Sequence, residues 1–259
     1  GYFAYNSNTK LRNSIFVGNR ASDGSALSLD HPNWGLPVLD NLTLYANSVP
    51  ANGSLVHNNR DNGDSRNSLI TNTIIWGNQI SASGNIFENL AGLPTVQNSL
   101  VEGSGGSSSW SLASSTDGGN NLDLSPAFVS PLNALGRDGK FATPDDGLRL
   151  LPGSPAIDSG VDREFSVDAS GKNRKYGLAV DLGAYERYPT DQVGPFSMSL
   201  SKSAIDENRP VGTIVGNVGA SLLAREVKSV FASDGKSFAV MKDGSMRSWG
   251  GHWSGALGD

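Results

Sequence analysis

Ile70-Thr71-Asn72-Thr73-Ile74-Ile75-Trp76-Gly77-Asn78 decides the reading of this chain, because the same phrase recurs on both sides of it. Upstream it reads Leu11-Arg12-Asn13-Ser14-Ile15-Phe16-Val17-Gly18-Asn19 and Leu39-Asp40-Asn41-Leu42-Thr43-Leu44-Tyr45-Ala46-Asn47; downstream it is worn to Val96-Gln97-Asn98-Ser99-Leu100-Val101-Glu102-Gly103. A shorter phrase follows the second asparagine: Gly24-Ser25-Ala26-Leu27, Gly53-Ser54-Leu55-Val56 and Gly84-Asn85-Ile86-Phe87, with Gly1-Tyr2-Phe3-Ala4 reading as the tail of an earlier copy. Recurrence at a fixed period signals a repeat architecture in which each copy buries its apolar face against the next. Within a copy, apolar residues alternate loosely with small polar ones and β-branched residues abound, which argues for strand. The fold class expected is all-β.

The fixed asparagines have a physical use. In stacked strands about 4.8 Å apart, equivalent side-chain amides can donate to one neighbour and accept from the other, satisfying groups buried at a bend. Asn13, Asn41, Asn72 and Asn98 are expected to form one such ladder. Asn19, Asn47 and Asn78 are expected to form a second, each preceded by a residue suited to a sharp turn (Gly18, Ala46, Gly77).

Composition narrows the classes of function. The 259 residues include 32 glycines and 12 prolines, only 17% charged residues and no cysteine, so tight turns dominate while disulfides and thiol chemistry are excluded. A net charge of −5 with scattered lysines and arginines leaves no basic stripe for nucleic acid. No apolar run is long enough to span a bilayer. The chain opens inside one motif and closes inside another, and so reads as an excerpt with further domains beyond both ends.

After a Ser/Gly-rich stretch over 103–119, expected to be a mobile inserted loop, a different block begins. It carries Asn120-Asn121-Leu122-Asp123-Leu124-Ser125-Pro126-Ala127-Phe128-Val129, then Leu151-Pro152-Gly153-Ser154-Pro155-Ala156-Ile157-Asp158-Ser159-Gly160, then Asp181-Leu182-Gly183-Ala184-Tyr185-Glu186. With these phrases, residues 1–189 resemble the C-terminal end of the right-handed parallel β-helix repeat regions of large bacterial surface and secreted proteins. The resemblance implies a solenoid whose block from about residue 120 caps its exposed end. Residues 190–225 then read as a linker in which Leu200–Gly216 is similar to the opening strand of cadherin-like repeats, with Glu207 as the one carried-over calcium ligand. Residues 226–259, with Phe238-Ala239-Val240-Met241-Lys242-Asp243-Gly244 and Arg247-Ser248-Trp249-Gly250, resemble one partial repeat of a regulator-of-chromosome-condensation type propeller. An extracellular or cell-surface location follows from the resemblance alone.

Three functional readings stay open: a non-catalytic module for adhesion or carbohydrate binding, a polysaccharide lyase or glycoside hydrolase, and an inert spacer. An enzyme needs acids and bases converging from neighbouring copies. The column before the first asparagine runs Arg12, Asp40, Thr71, Gln97 and does not cluster acids, although Arg12 and Asp40 suit a cross-strand ion pair. No catalytic residue is assigned; Asp40, Asp61 and Asp64 are the acids to test. Tyr45 and Trp76 occupy equivalent positions, so with Trp34 from a loop they are the candidate sugar platform, the alternative being packing between copies. His31 and His57 have no ligand at metal spacing in sequence and are expected to face solvent. No cofactor is implied except Ca2+, for which Asp138, Asp145 and Asp146 in the glycine-rich loop 136–147 are the candidate ligands.

Overall fold

The computed structural model describes residues 1–5, 9–30, 37–59, 68–89, 93–163, 165–189 and 191, and five strands beyond them. The chain divides into two compact units, Gly1–Gln192 and Val193–Asp259. Both are built of strands, and the one helical element among the described residues is a single 3-10 turn at Pro131–Asn133.

In the first unit every copy of the phrase returns to the same sheets. Lys10–Arg12, Val38–Asp40, Leu69–Thr71, Thr95–Gln97 and Thr116–Asp117 lie side by side in one sheet. Ile15–Val17, Thr43–Tyr45, Ile74–Trp76 and Leu100–Val101 form the next. The short phrase supplies the third through Tyr2–Tyr5, Leu27–Asp30, Ser54–Asn59 and Asn85–Asn89. All of these pairings are parallel. The register matches the alignment of copies, with Leu39 beside Ile70 and Tyr45 beside Trp76. At the N-terminus the alignment is corrected by two residues: Tyr2, not Ala4, pairs with Leu27.

The core lies between these sheets, where Leu27, Leu29, Leu39, Leu44, Leu55, Ile70, Ile75, Phe87, Val96 and Val101 are buried together. Between the strands, Asn13, Asn41, Asn72 and Asn98 take the left-handed conformation (φ 45–52°). Asparagine is one of the few side chains that tolerates it, which explains its fixed place at this bend.

The two asparagine columns differ. The second is a ladder: Asn19 Nδ2 donates to Asn47 Oδ1 and Asn47 Nδ2 to Asn78 Oδ1, both at 2.9 Å. The first has a single link, Asn72 Nδ2 to Asn41 Oδ1 at 3.2 Å. Its amides instead hold the C-terminal block: Asn13 donates to Val167 O, Asn41 to Asp181 O and Asn72 to Val161 O. A further column was missed by sequence reading, in which Leu42 N donates to Thr73 Oγ1, Thr73 N to Ser99 Oγ, and Ser99 N to Asn121 Oδ1.

Two expectations about the second half are corrected. The stretch over 103–119 is tied down: Asp123 accepts from Gly103 N and Gly105 N, Asp117 accepts from Ser107, Gly119 and Asn121, and Thr116–Asp117 joins a sheet. The block from about residue 120 is also more than an end cap. Leu122 stacks on Leu100, but residues 156–184 then run back along the flank of the sheets, reaching copies as far as Asn13. Gly183 permits this approach, since a Cβ there would stand 2.8 Å from Ile74 Cδ1 and 2.9 Å from Thr43 Oγ1 at a φ of +89°. Ile74, Leu100, Phe128, Leu148, Leu150, Ala156 and Leu182 form a second apolar cluster between block and sheets.

Buried charge lies inside the block. Arg174 donates to the carbonyls of Asp181, Gly183 and Ala184, with Glu186 4.0 Å away. Burial pushes Asp181 up to about 6, and burial together with Asp181 pushes Glu186 up to about 7. Both exceed the unfolded values of 3.8 and 4.5, so the folded chain holds these protons more tightly. Their contribution to stability is full below the unfolded values and is lost as pH rises through the folded ones. The melting temperature is therefore expected to fall between about pH 5 and about pH 8. A rise across that interval would mean that Arg174 keeps both carboxylates charged in the fold.

In the second unit, Met198–Leu200 pairs antiparallel with Val218–Ala220, and Val227–Ser233, Lys236–Met241 and Met246–Gly250 form an antiparallel three-stranded sheet. Residues 201–217 of the cadherin-like motif, including Glu207, lie outside the described residues.

Candidate functional site

The first sheet and the returning block enclose a cleft of about 490 Å³ lined by Lys10, Arg12, Val38, Asp40, Asp162 and Arg163. Two adjacent parallel strands supply the floor. Because side chains alternate along a strand, Lys10 and Arg12 emerge on one side, and register sets them beside Val38 and Asp40. The block adds Asp162 and Arg163 from the segment that follows Gly160.

Asp40 is the centre of this cleft and is only 1% exposed. Its Oδ2 accepts from Arg163 Nε at 3.2 Å, while Oδ1 is buried with no hydrogen-bond partner. Burial raises the Asp40 carboxyl above the ordinary range, with Arg163 and then Arg12 pulling it back. The expected Arg12–Asp40 ion pair is thus replaced by Arg163–Asp40. The Arg12 guanidinium lies over the Phe165 ring, 4.9 Å from its centroid, and its buried Nε is unpaired. Asp162 is drawn outward to Lys175 Nζ at 2.7 Å. Lys10, Arg12 and Arg163 set against Asp40 and Asp162 leave one net positive charge in a chain of −5. Such a cleft offers cations to an anionic group.

Of the other predicted residues, Asp61, Asp64 and Trp34 lie outside the described residues. Tyr45 and Trp76 pair in register as expected, but both pack against the second apolar cluster. Tyr45 meets Phe128 edge-on at 5.6 Å, a partly buried packing contact with the block. At the proposed calcium loop the acidic oxygens are taken by the loop itself. Asp145 accepts from Arg137 N and Thr143 Oγ1, Asp138 from Lys140 N, and fully buried Asp146 from Thr143 N and the Tyr185 hydroxyl. The three carboxylates gather around the Thr143 hydroxyl, with oxygens 2.8 Å (Asp145), 3.1 Å (Asp146) and 3.5 Å (Asp138) from its Oγ1; among the described residues the trio whose ligand atoms all lie within 4.8 Å of one another is Asp23, His57 and Glu88.

Sequence reading singled out neither Arg163 nor Asp162, because the irregular block has no period to align with the strands. His57 is likewise corrected: its side chain is 16% exposed, and Nδ1 lies 3.2 Å from Glu88 Oε2. No protein-family model, curated protein or solved structure matches the chain.

Proposed function

We propose that residues 1–189 are a right-handed parallel β-helix module of a bacterial surface or secreted protein, and that it binds acidic carbohydrate without transforming it. The observation that carries the binding reading is the cleft, where Lys10, Arg12 and Arg163 outnumber the carboxyls of Asp40 and Asp162. Uronate-type sugars offer the complement, a carboxylate. Parallel pairing of successive copies supports the solenoid, and parallel crossover connections are overwhelmingly right-handed. The three antiparallel strands of residues 227–250 suit one blade-like repeat of a propeller.

Asp40 is a poor general base in this setting, since it is buried and ion-paired to Arg163. The convergence of cations on one carboxyl still favours a lyase or hydrolase as the second reading. The test is a panel of neutral and acidic polysaccharides incubated with the protein, following retention, new reducing ends and absorbance of unsaturated products. Retention of an acidic polysaccharide, weakened about tenfold in Arg163→Ala or Lys10→Ala, is expected, as for the loss of one charge-assisted contact. Turnover abolished by Asp40→Asn would replace the binding reading with an enzyme, and no retention would leave a spacer.

A further inference from the structure

We infer that Asp23, His57 and Glu88 form a binding site for one divalent transition-metal ion of the zinc class. The site is independent of the carbohydrate reading and is built by the third sheet. Register places His57 directly beside Glu88, with Ser28 on its other side, while Asp23 comes from the turn before the Leu27–Asp30 strand. Residues distant in sequence, from three successive copies, thereby present one nitrogen and two carboxylate oxygens within 4.8 Å of one another. That spread is closed by small side-chain rotations to the spacing of ligands about 2.0–2.2 Å from a shared ion.

The donor set selects the ion. An imidazole suits zinc, copper, nickel and iron, whereas calcium and magnesium take oxygen. Two carboxylates and a neutral imidazole carry two negative charges, which a divalent ion balances. Among the described residues neither carboxylate has a lysine or arginine ion-pair partner, and Glu88 meets the His57 imidazole at 3.2 Å. His57 is mostly buried and Glu88 half-buried, which limits competition from water, while exposed Asp23 leaves a path of entry. Three protein ligands leave further coordination positions for water. The ion would cross-link three copies of the repeat.

The test is calorimetric titration of the whole chain with zinc chloride, with thermal melts in zinc and in chelator. One equivalent should bind, and the melting temperature should rise in zinc and return in chelator. His57→Ala and Glu88→Gln should each weaken binding at least tenfold while melting normally without metal, and His31→Ala and His252→Ala should leave it unchanged. Absence of zinc binding would overturn the assignment. So would equal affinity in both His57→Ala and Glu88→Gln, or calcium binding in preference to zinc. If one variant melts abnormally without metal, the other decides.

Discussion

Replacing Arg174 by methionine is expected to destabilise the protein by about 3–5 kcal/mol, the usual cost of removing one partner from a buried charge group. Arg174 is 2% exposed and its guanidinium binds three backbone carbonyls. Those carbonyls are not the main loss. Asp181 O and Gly183 O also accept from Asn41 Nδ2, and Ala184 O from Ala169 N. What disappears is the cation facing Glu186, Asp168 and Asp181, all nearly inaccessible to water. Asp181 retains backbone donors from Asp158 and Arg187, and Glu186 from Tyr176 and Asp181. Hydrogen bonds alone do not cancel buried like charge, so without Arg174, Asp181 and Glu186 take up protons at still higher pH. The loss should therefore be larger at about pH 8 than at about pH 5, which chemical denaturation at both values would measure. Arg174→Lys keeps the charge but not the planar fork, and should recover only part of the loss. A loss independent of pH would show that Arg174 acts by filling space, and equal stability of lysine and arginine would remove the role of the fork.

Much of the first half was legible in sequence and much of the second was not, for one reason. A parallel sheet of repeats is specified by a period, and the period gives the strands, their neighbours and the Asn19–Asn47–Asn78 ladder, but not the left-handed backbone of the other asparagine column. The returning block has no period. Its polar contacts with the first asparagine column are hydrogen bonds that the amides of Asn13, Asn41 and Asn72 donate to irregular backbone, and nothing in Asp181-Leu182-Gly183-Ala184-Tyr185-Glu186 states which copy it meets. The cleft depends on that docking, because it needs Arg163 opposite Asp40, residues 123 positions apart. The convergence of Asp23, His57 and Glu88 lay between these cases. His57 and Glu88 each follow a copy of the short phrase and so share a column, but a column shows a partner only when its neighbours are read across the sheet as well as along the chain.

The asparagine columns yield the second large effect, and their difference makes it specific. Asn72→Ala is expected to cost about 2–4 kcal/mol, from a left-handed backbone alanine resists and from buried groups left unpaired. Asn72 is fully buried at a φ of 51°; its amide donates to Asn41 Oδ1 and Val161 O, and its Oδ1 accepts from Val161 N. Asn72→Gly removes the same bonds but accepts that φ, so it should be the milder change by about 1 kcal/mol. Asn47 also sits in a buried network, bonded to Asn19, Asn78 and Phe16 O, yet the positive φ at its bend belongs to Ala46. There the order should reverse, with Asn47→Gly at least as costly as Asn47→Ala because glycine gives up more backbone entropy on folding. Denaturant melts of the four variants read both terms. The same order at both sites would mean that the first column is kept for its amides alone; opposite orders would show that one asparagine serves the turn and the docked block, and the other serves its neighbours in the stack.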